Sequence, residues 1–198
     1  MSTVGGPDRL VGVLALQGAF AAHARVLAEL DADPIEVRTP AQLERVDALV
    51  MPGGESTTMS FLLESSGLFD PIAKRLADGL PVLGTCAGMI LLSAEVLDGR
   101  SDQRSFGAID LAVRRNAYGR QVDSFETDLD VPELGDPPFH AVFIRAPGVE
   151  RVGPDVEALA ERDGRVVLAR QGPITVAAFH PELSGDPRIH ARFLQEVM

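Results

Sequence analysis

The ordered pattern of the chain begins with a continuous apolar run at residues 10–16, and comparable runs return at residues 47–51 and 81–83. Strands covered on both faces read this way, whereas a strand with one wet face alternates apolar and polar residues. Between the runs the spacing becomes helical. Phe20, Ala24, Leu27 and Leu30 share one face of residues 19–30, Pro34 ends that helix, and residues 35–37 form a short strand. Thr39-Pro40 opens a brief helix over residues 41–45. His23 lies beside the apolar stripe and reads as structural, because a lone helical histidine more often fills space than does chemistry. The alternation of strand and helix predicts an α/β fold, with a mostly parallel, doubly wound sheet flanked by helices.

The second half reads differently. Strand patterns occupy residues 108–113, 122–129, 139–144, 156–161, 165–170 and 173–179, with loops at 98–105 and 132–138 and a two-residue hairpin turn at Asp163-Gly164. Hairpins outnumber helices here, which predicts an antiparallel hairpin extension grafted on the parallel sheet rather than a second domain. Residues 187–197 close the chain as an amphipathic helix with Ile189, Phe193, Leu194 and Val197 facing inward. The expected organisation is a flexible leader at residues 1–9 and one domain over 10–198.

Composition narrows the class. The net charge of −11, from 29 acids against 18 bases, opposes non-specific binding to nucleic acid or anionic membranes. Cys86 is the single cysteine, so no internal disulfide is possible and a reducing compartment fits. No stretch approaches the roughly 18 apolar residues of a membrane span, and the leader lacks the apolar core of a signal peptide. A cytoplasmic protein is expected.

Chemistry concentrates at three places. Gly84-Thr85-Cys86-Ala87-Gly88 lies between an apolar strand and an apolar helix, and is the thiol counterpart of the G-x-S-x-G nucleophile elbow. Such a turn strains its middle residue, leaves no room for neighbouring Cβ atoms and sets the sulfur at a helix N-terminus that favours thiolate. By itself the pattern also suits a small buried cysteine. Pro52-Gly53-Gly54-Glu55-Ser56-Thr57-Thr58 follows another strand, with Ser56 or Thr57 able to cap the next helix. Ligands bind at the carboxyl ends of parallel strands, so this loop and the elbow are expected on one edge. Phe179-His180-Pro181-Glu182 follows the last strand; in extended backbone His180 and Glu182 point the same way, so the carboxylate can fix the imidazole tautomer. The amides of Ala87 and Gly54 are candidates for an oxyanion hole, and Arg115 and Arg145 for a substrate carboxylate. One cysteine, few histidines and no close ligand pairs argue against a metal site, and no P-loop spacing is present.

Together, the Gly84–Gly88 and Phe179–Glu182 segments resemble those of the class I, triad-type glutamine amidotransferases. Leu14-Ala15-Leu16-Gln17-Gly18-Ala19, Pro52 to Met59, Arg115-Asn116-Ala117-Tyr118-Gly119-Arg120-Gln121-Val122-Asp123-Ser124-Phe125 and Phe143-Ile144-Arg145-Ala146-Pro147 are similar, more narrowly, to the glutaminase subunits of pyridoxal 5′-phosphate synthases. The resemblance covers roughly residues 10 to 197 in consistent order. It implies a thiol glutaminase without a cofactor, with Cys86 as nucleophile, His180 as general acid/base and Glu182 as its orienting carboxylate. It also implies that Gly54, Glu55, Ser56, Arg115, Ile144 and Arg145 contact L-glutamine, and that Gln17 lies near the face meeting a partner. That partner would be a (β/α)₈ synthase subunit, twelve of which carry up to twelve glutaminases. It would combine the ammonia with ribose 5-phosphate and glyceraldehyde 3-phosphate. Two other readings stay open: a related thiol hydrolase of the same fold, against which the 115–125 stretch argues, and a non-catalytic regulatory or binding subunit, against which the intact Cys86, His180 and Glu182 argue.

Overall fold

The computed structural model of the protein describes residues 10–115, 117 and 124–197. The expected flexible leader, the start of the strand expected at 122–129 and most of the 115–125 stretch lie outside the described residues. In chain order the first half holds β1 (Leu10–Leu14), α1 (Phe20–Glu29), β2 (Asp33–Val37), α2 (Pro40–Leu43), β3 (Ala48–Met51), α3 (Ser56–Ser65), α4 (Phe69–Ala77), β4 (Val82–Thr85) and α5 (Ala87–Leu92). The second holds β5 (Ser93–Val96), β6 (Ile109–Arg114), β7 (Ser124–Leu129), β8 (Phe139–Ile144), β9 (Gly148–Val152), β10 (Glu157–Arg162), β11 (Arg165–Gln171), β12 (Ile174–Ala177) and α6 (Arg188–Val197).

The apolar runs form the middle of a seven-stranded sheet of order β10-β11-β12-β4-β3-β1-β2. The five strands from β12 to β2 are mutually parallel, and β11 and β10 continue one edge antiparallel. Every residue of β3, β4 and β12 is buried, which is why these segments are almost wholly apolar, with only Thr85 and Thr175 polar. β2 is the edge strand and tolerates Pro34, whose missing N–H would cost a ladder hydrogen bond in the interior. Pro34 therefore does not stop α1, contrary to expectation; the helix ends earlier, with Asp31 in the left-handed region at φ 59°. The helices form two packing groups, α1 with α6, and α3 with α4 and α5, while α2 packs on α4. Arg75 of α4 donates to the carbonyls of Leu43 and Val46, 2.9 and 2.7 Å away, and so closes the short α2.

The hairpin extension is only partly an extension of the main sheet. β10 and β11 join it, but β5, β6 and β9 form a separate three-stranded sheet and β7 pairs with β8 alone. The pattern gave no sign of α4, β5 or β9. In β9 only Gly148 and Val149 are buried, so there is no alternation to read. β8 does alternate, and its buried face carries Phe139, Ala141 and Phe143. Phe139 and Phe143 meet the ring of Phe179 at centroid distances of 5.7 and 5.4 Å, tilted. This packing, with the hydrogen bond from the His180 amide to the Val142 carbonyl at 2.8 Å, fixes the segment leaving β12.

Four neighbouring strands thus deliver the loops of interest to one sheet edge. In spatial order β12 leads to His180, β4 to Cys86, β3 to Gly53-Gly54 and β1 to Gln17. Among the described residues no helix is long and apolar enough to cross a membrane. α5 lies so close to β3 that a Cβ on Gly88 would run into the Met51 carbonyl. Replacing Gly88 with alanine is expected to cost about 1–3 kcal/mol through this overpacking. Urea unfolding measures it; an unchanged midpoint would mean that α5 can move away from β3 without loss.

Candidate active site

Cys86 alone reverses the chain between β4 and α5. Its φ of 49° and ψ of −102° lie where an L-residue is strained. Two backbone hydrogen bonds hold it there: its amide donates to the Ala177 carbonyl at 2.8 Å, and its carbonyl accepts from the Ile90 amide at 3.2 Å. Gly84 and Gly88 face each other across the turn; a Cβ on Gly84 would stand 3.0 Å from the Gly88 carbonyl carbon. The expectation of a strained residue between two sterically required glycines therefore holds. Cys86 is 6% exposed and lines a cleft, and its sulfur lies 3.9 Å from the Ile144 carbonyl oxygen.

His180 and Glu182 come together, though not through extended backbone. Pro181–Leu183 is a 3₁₀ turn with Pro181 at its start, and this turn brings Glu182 Oε1 to 2.7 Å from His180 Nδ1. Both residues are buried. Burial opposes ionisation of Glu182, but hydrogen bonding from His180 and its two histidine neighbours outweigh this and hold its pKa below the ordinary carboxylate value. Burial would likewise lower the pKa of His180. Interaction with the Cys86 sulfur and with Glu182 wins instead and pushes it up to about 10. Nδ1–H is thereby committed to Glu182, and Nε2 is the nitrogen left to exchange a proton with sulfur or substrate.

The Gly53-Gly54 loop packs between His180 and Gln17. A Cβ on Gly54 would lie 2.6 Å from Gln17 Oε1, and one on Gly53 would collide with the His180 ring. The Gly53 carbonyl accepts from the Ala19 amide at 3.2 Å, which turns the Gly54 N–H to the opposite side of that trans peptide. Gln17 Oε1 accepts from the Glu55 amide at 3.0 Å. The cap of α3 differs from expectation. Neither Ser56 nor Thr57 supplies it; Glu55 does, its carboxylate accepting from the amides of Thr57 and Thr58 at 3.1 and 2.7 Å. A carboxylate reaches two amides where a hydroxyl reaches one. Burial works against Glu55 ionising, but the Thr58 and Thr57 hydrogen bonds bring its pKa down to about 2.

One cleft gathers Gln17, Gly54, Glu55, Ser56, Cys86, Arg115, Ile144, Arg145 and His180. Of the expected site residues only Glu182 and Ala87 lie outside this lining, Glu182 behind His180 and Ala87 buried after Cys86. Arg115 is already ion-paired with Glu55 Oε1 at 2.9 Å. Arg145, at φ 43°, has no ion pair among the described residues. Ile90 also lines the cleft, a position the sequence did not single out although it lies four residues after Cys86 on the elbow helix. The sequence also did not join His23, which it read as structural, to the buried Thr85 and His190 behind the triad. The available signal was spacing: His190 precedes the inward Phe193, Leu194 and Val197 by three, four and seven residues, which places it on their helix face.

A thiol beside a carboxylate-oriented imidazole, opening on a cleft with two arginines, suits acyl transfer from a small polar substrate. Comparison with known proteins narrows this. The sequence model of the SNO glutamine amidotransferase family matches residues 13–198. The pyridoxal 5′-phosphate synthase subunit PdxT of Herpetosiphon aurantiacus is 56% identical over 186 residues, 93% of this chain and 98% of its own. PdxT of Mycobacteroides abscessus is 57% identical over 188 residues, 95% of this chain and 97% of its own. A crystal structure of a glutamine amidotransferase superposes with a TM-score of 0.89 at 48% identity, covering 94% of this chain and 98% of that one. A putative GMP synthase component from Thermoplasma acidophilum, at 18% identity and a TM-score of 0.68 over 98% of this chain and 96% of its own, shares the fold alone. Because the family match spans every residue gathered in the cleft and the triad behind it, the chain belongs to the SNO glutamine amidotransferase family.

Proposed function

We propose that this chain is the glutaminase subunit of a pyridoxal 5′-phosphate synthase, hydrolysing L-glutamine to L-glutamate and ammonia. The observation that carries this reading is the strained Cys86 beside an imidazole whose other nitrogen is held by a buried carboxylate 2.7 Å away. Relatives named as PdxT, more than half identical over nearly the whole chain, support the biosynthetic context. The ammonia passes to a synthase subunit, with up to twelve glutaminases on a twelve-membered core. The glutaminase is one domain over residues 10–198, and its free thiol suits the cytoplasm.

In this reading glutamine enters the cleft with its α-carboxylate held by Arg145 and Arg115 and its other contacts made by Gly54, Glu55, Ser56 and Ile144. The Cys86 thiolate attacks the side-chain amide carbon, forming the C–S bond, and the oxyanion accepts from the amides of Ala87 and Gly54. His180 Nε2–H gives its proton to the departing nitrogen, the C–N bond breaks, and ammonia leaves a γ-glutamyl thioester. Water then attacks the thioester carbon while His180 takes its proton. The C–S bond breaks, and glutamate leaves with the thiolate restored. Gln17, tied to the loop through the Glu55 amide, lies toward the partner face and couples docking to the loop.

Three outcomes follow. Cys86→Ala should lower glutamine hydrolysis by at least about a thousandfold, as loss of a covalent nucleophile does, while pyridoxal phosphate formation from added ammonium salt by the complex survives; sustained hydrolysis would exclude the thioester route. Arg145→Ala should raise KM for glutamine about 10–100-fold, the worth of a charged hydrogen-bonded contact, with kcat little changed in steady-state assays. Finally, His180 must carry a proton for ammonia to leave, and its pKa is raised to about 10. Activity should therefore persist well above the ordinary histidine value and fall only as pH climbs toward 10. Glu182→Gln removes one of the causes of that rise, so the alkaline limb should move to lower pH; a limb near 6.5 in the unaltered protein would contradict the assignment.

A further inference from the structure

Behind the triad lie two histidines that the hydrolysis just described does not use. His23 of α1 and His190 of α6 are both fully buried, and His23 Nδ1 is 2.9 Å from His190 Nε2. On its other side His23 Nε2 lies 3.1 Å from Thr85 Oγ1, in hydrogen-bonding alignment, and 3.3 Å from Glu182 Oε2. Among the described residues Glu182 Oε2 has no aligned hydrogen-bond donor and His190 Nδ1 has no partner at all. The row Cys86, His180, Glu182, His23, His190 thus crosses the interior from the cleft to α6.

Burial first, opposed by Glu182, brings the pKa of His23 down to about 4, and burial brings that of His190 down to about 3; both are neutral at pH 7. Each ring then holds one proton, and packing decides where. A proton on His190 Nδ1 would be a buried donor with no acceptor, which is costlier than a bare acceptor. It would also leave a lone pair on His23 Nε2 facing a carboxylate oxygen at 3.3 Å. With the His190 proton on Nε2, donated to His23 Nδ1, both penalties vanish and His23 must carry its proton on Nε2.

We propose that His23 is a positioning residue for the triad: with its tautomer set by His190, it donates Nε2–H to Thr85 Oγ1 and sets the positive end of that N–H dipole 3.3 Å from Glu182 Oε2, which helps to hold ionised the carboxylate that orients His180. The inference rests on the glutaminase reading above. The ionisable groups facing this row are His180 and Glu182 from the segment after β12, His190 from α6 and Cys86 beyond His180. β1, packed on α1, carries no ionisable side chain, those of β2 (Asp33 and Glu36) are exposed, and so are Arg25 and Glu29 of α1 itself. Without the His23 N–H dipole beside Oε2, Glu182 takes up a proton at higher pH, and His180 loses the acceptor for Nδ1–H.

The test uses the full chain in complex with its synthase subunit, following glutamine hydrolysis against pH. In His23→Gln the amide nitrogen reaches about the place of imidazole Nε2, whereas in His23→Asn it reaches only that of Nδ1. The Gln variant should keep kcat within about threefold. The Asn variant should lose about tenfold or more in kcat, the usual scale for a supporting hydrogen bond, with KM unchanged and the acid limb moved upward by about one pH unit. Equal losses in both variants with an unmoved limb, or no loss in either, would overturn the inference and leave His23 as packing. If the Asn variant does not fold by thermal melting, His190→Leu decides: it removes the donor to His23 Nδ1, so the same upward shift supports the inference and an unmoved limb overturns it. An unaltered complex that fails to hydrolyse glutamine would overturn the glutaminase reading and this inference with it, whereas an active one with insensitive variants would overturn the inference alone.

Discussion

The site depends on Cys86 staying in a backbone conformation that costs of order 1–3 kcal/mol. A strained residue persists only when its surroundings determine it several times over, and here they do. The sheet fixes its amide through Ala177, the first turn of α5 fixes its carbonyl through Ile90, and two glycines let strand and helix close around it. The Ala177 contact is the consequential one, because β12 is also the strand that ends in the His180 segment. The hydrogen bond that stabilises the nucleophile's turn therefore also sets the distance between the strands that carry thiol and base. In parallel pairing Ala177 lies opposite Thr85, one residue before Cys86 and three before His180. Catalytic spacing follows from sheet register rather than from loop conformation.

A second constraint is electrostatic. Glu182 is an almost fully buried carboxylate, and such a group is tolerated only with donors around it. His180 supplies one to Oε1, and the structure aims no other aligned donor at Oε2. Neutral His23 beside it is the compensation that the fold offers, with its ring held by α6. The helix α6, which contributes nothing to the cleft lining, thus bears on the triad through a buried polar contact and not only through its apolar face. Such a contact is stringent, since each member needs its neighbour's proton in the right place.

Much of this was legible in the sequence. Continuous apolar runs identified the central strands, and the Gly84–Gly88 and His180–Glu182 segments pointed to the strained thiol and the carboxylate-held imidazole that the structure brings to one edge. What the sequence could not carry was local geometry governed by distant partners. Glu55 takes the cap of α3 because Arg115 and the Thr57 and Thr58 amides converge on it, whereas Ser56 has the commoner capping side chain. β9 has no alternation because only its start meets the core. His23 read as structural because its partners, Thr85, Glu182 and His190, are 62 or more positions away along the chain and no local spacing brings them together.

The Gly53-Gly54 loop shows how little separates the site from the outer turn of the molecule. Its carbonyl is held by the Ala19 amide, its following amide at Glu55 by Gln17, and Gly18, at φ 90°, must lack a Cβ because one would collide with the Gly53 carbonyl. All three holding groups belong to the single β1–α1 turn. A rigid trans peptide cannot turn its carbonyl without turning the attached N–H the other way. The turn at residues 17–19 therefore fixes the direction of the Gly54 N–H, one of the two donors proposed for the oxyanion. The nucleophile, by contrast, is fixed by the sheet.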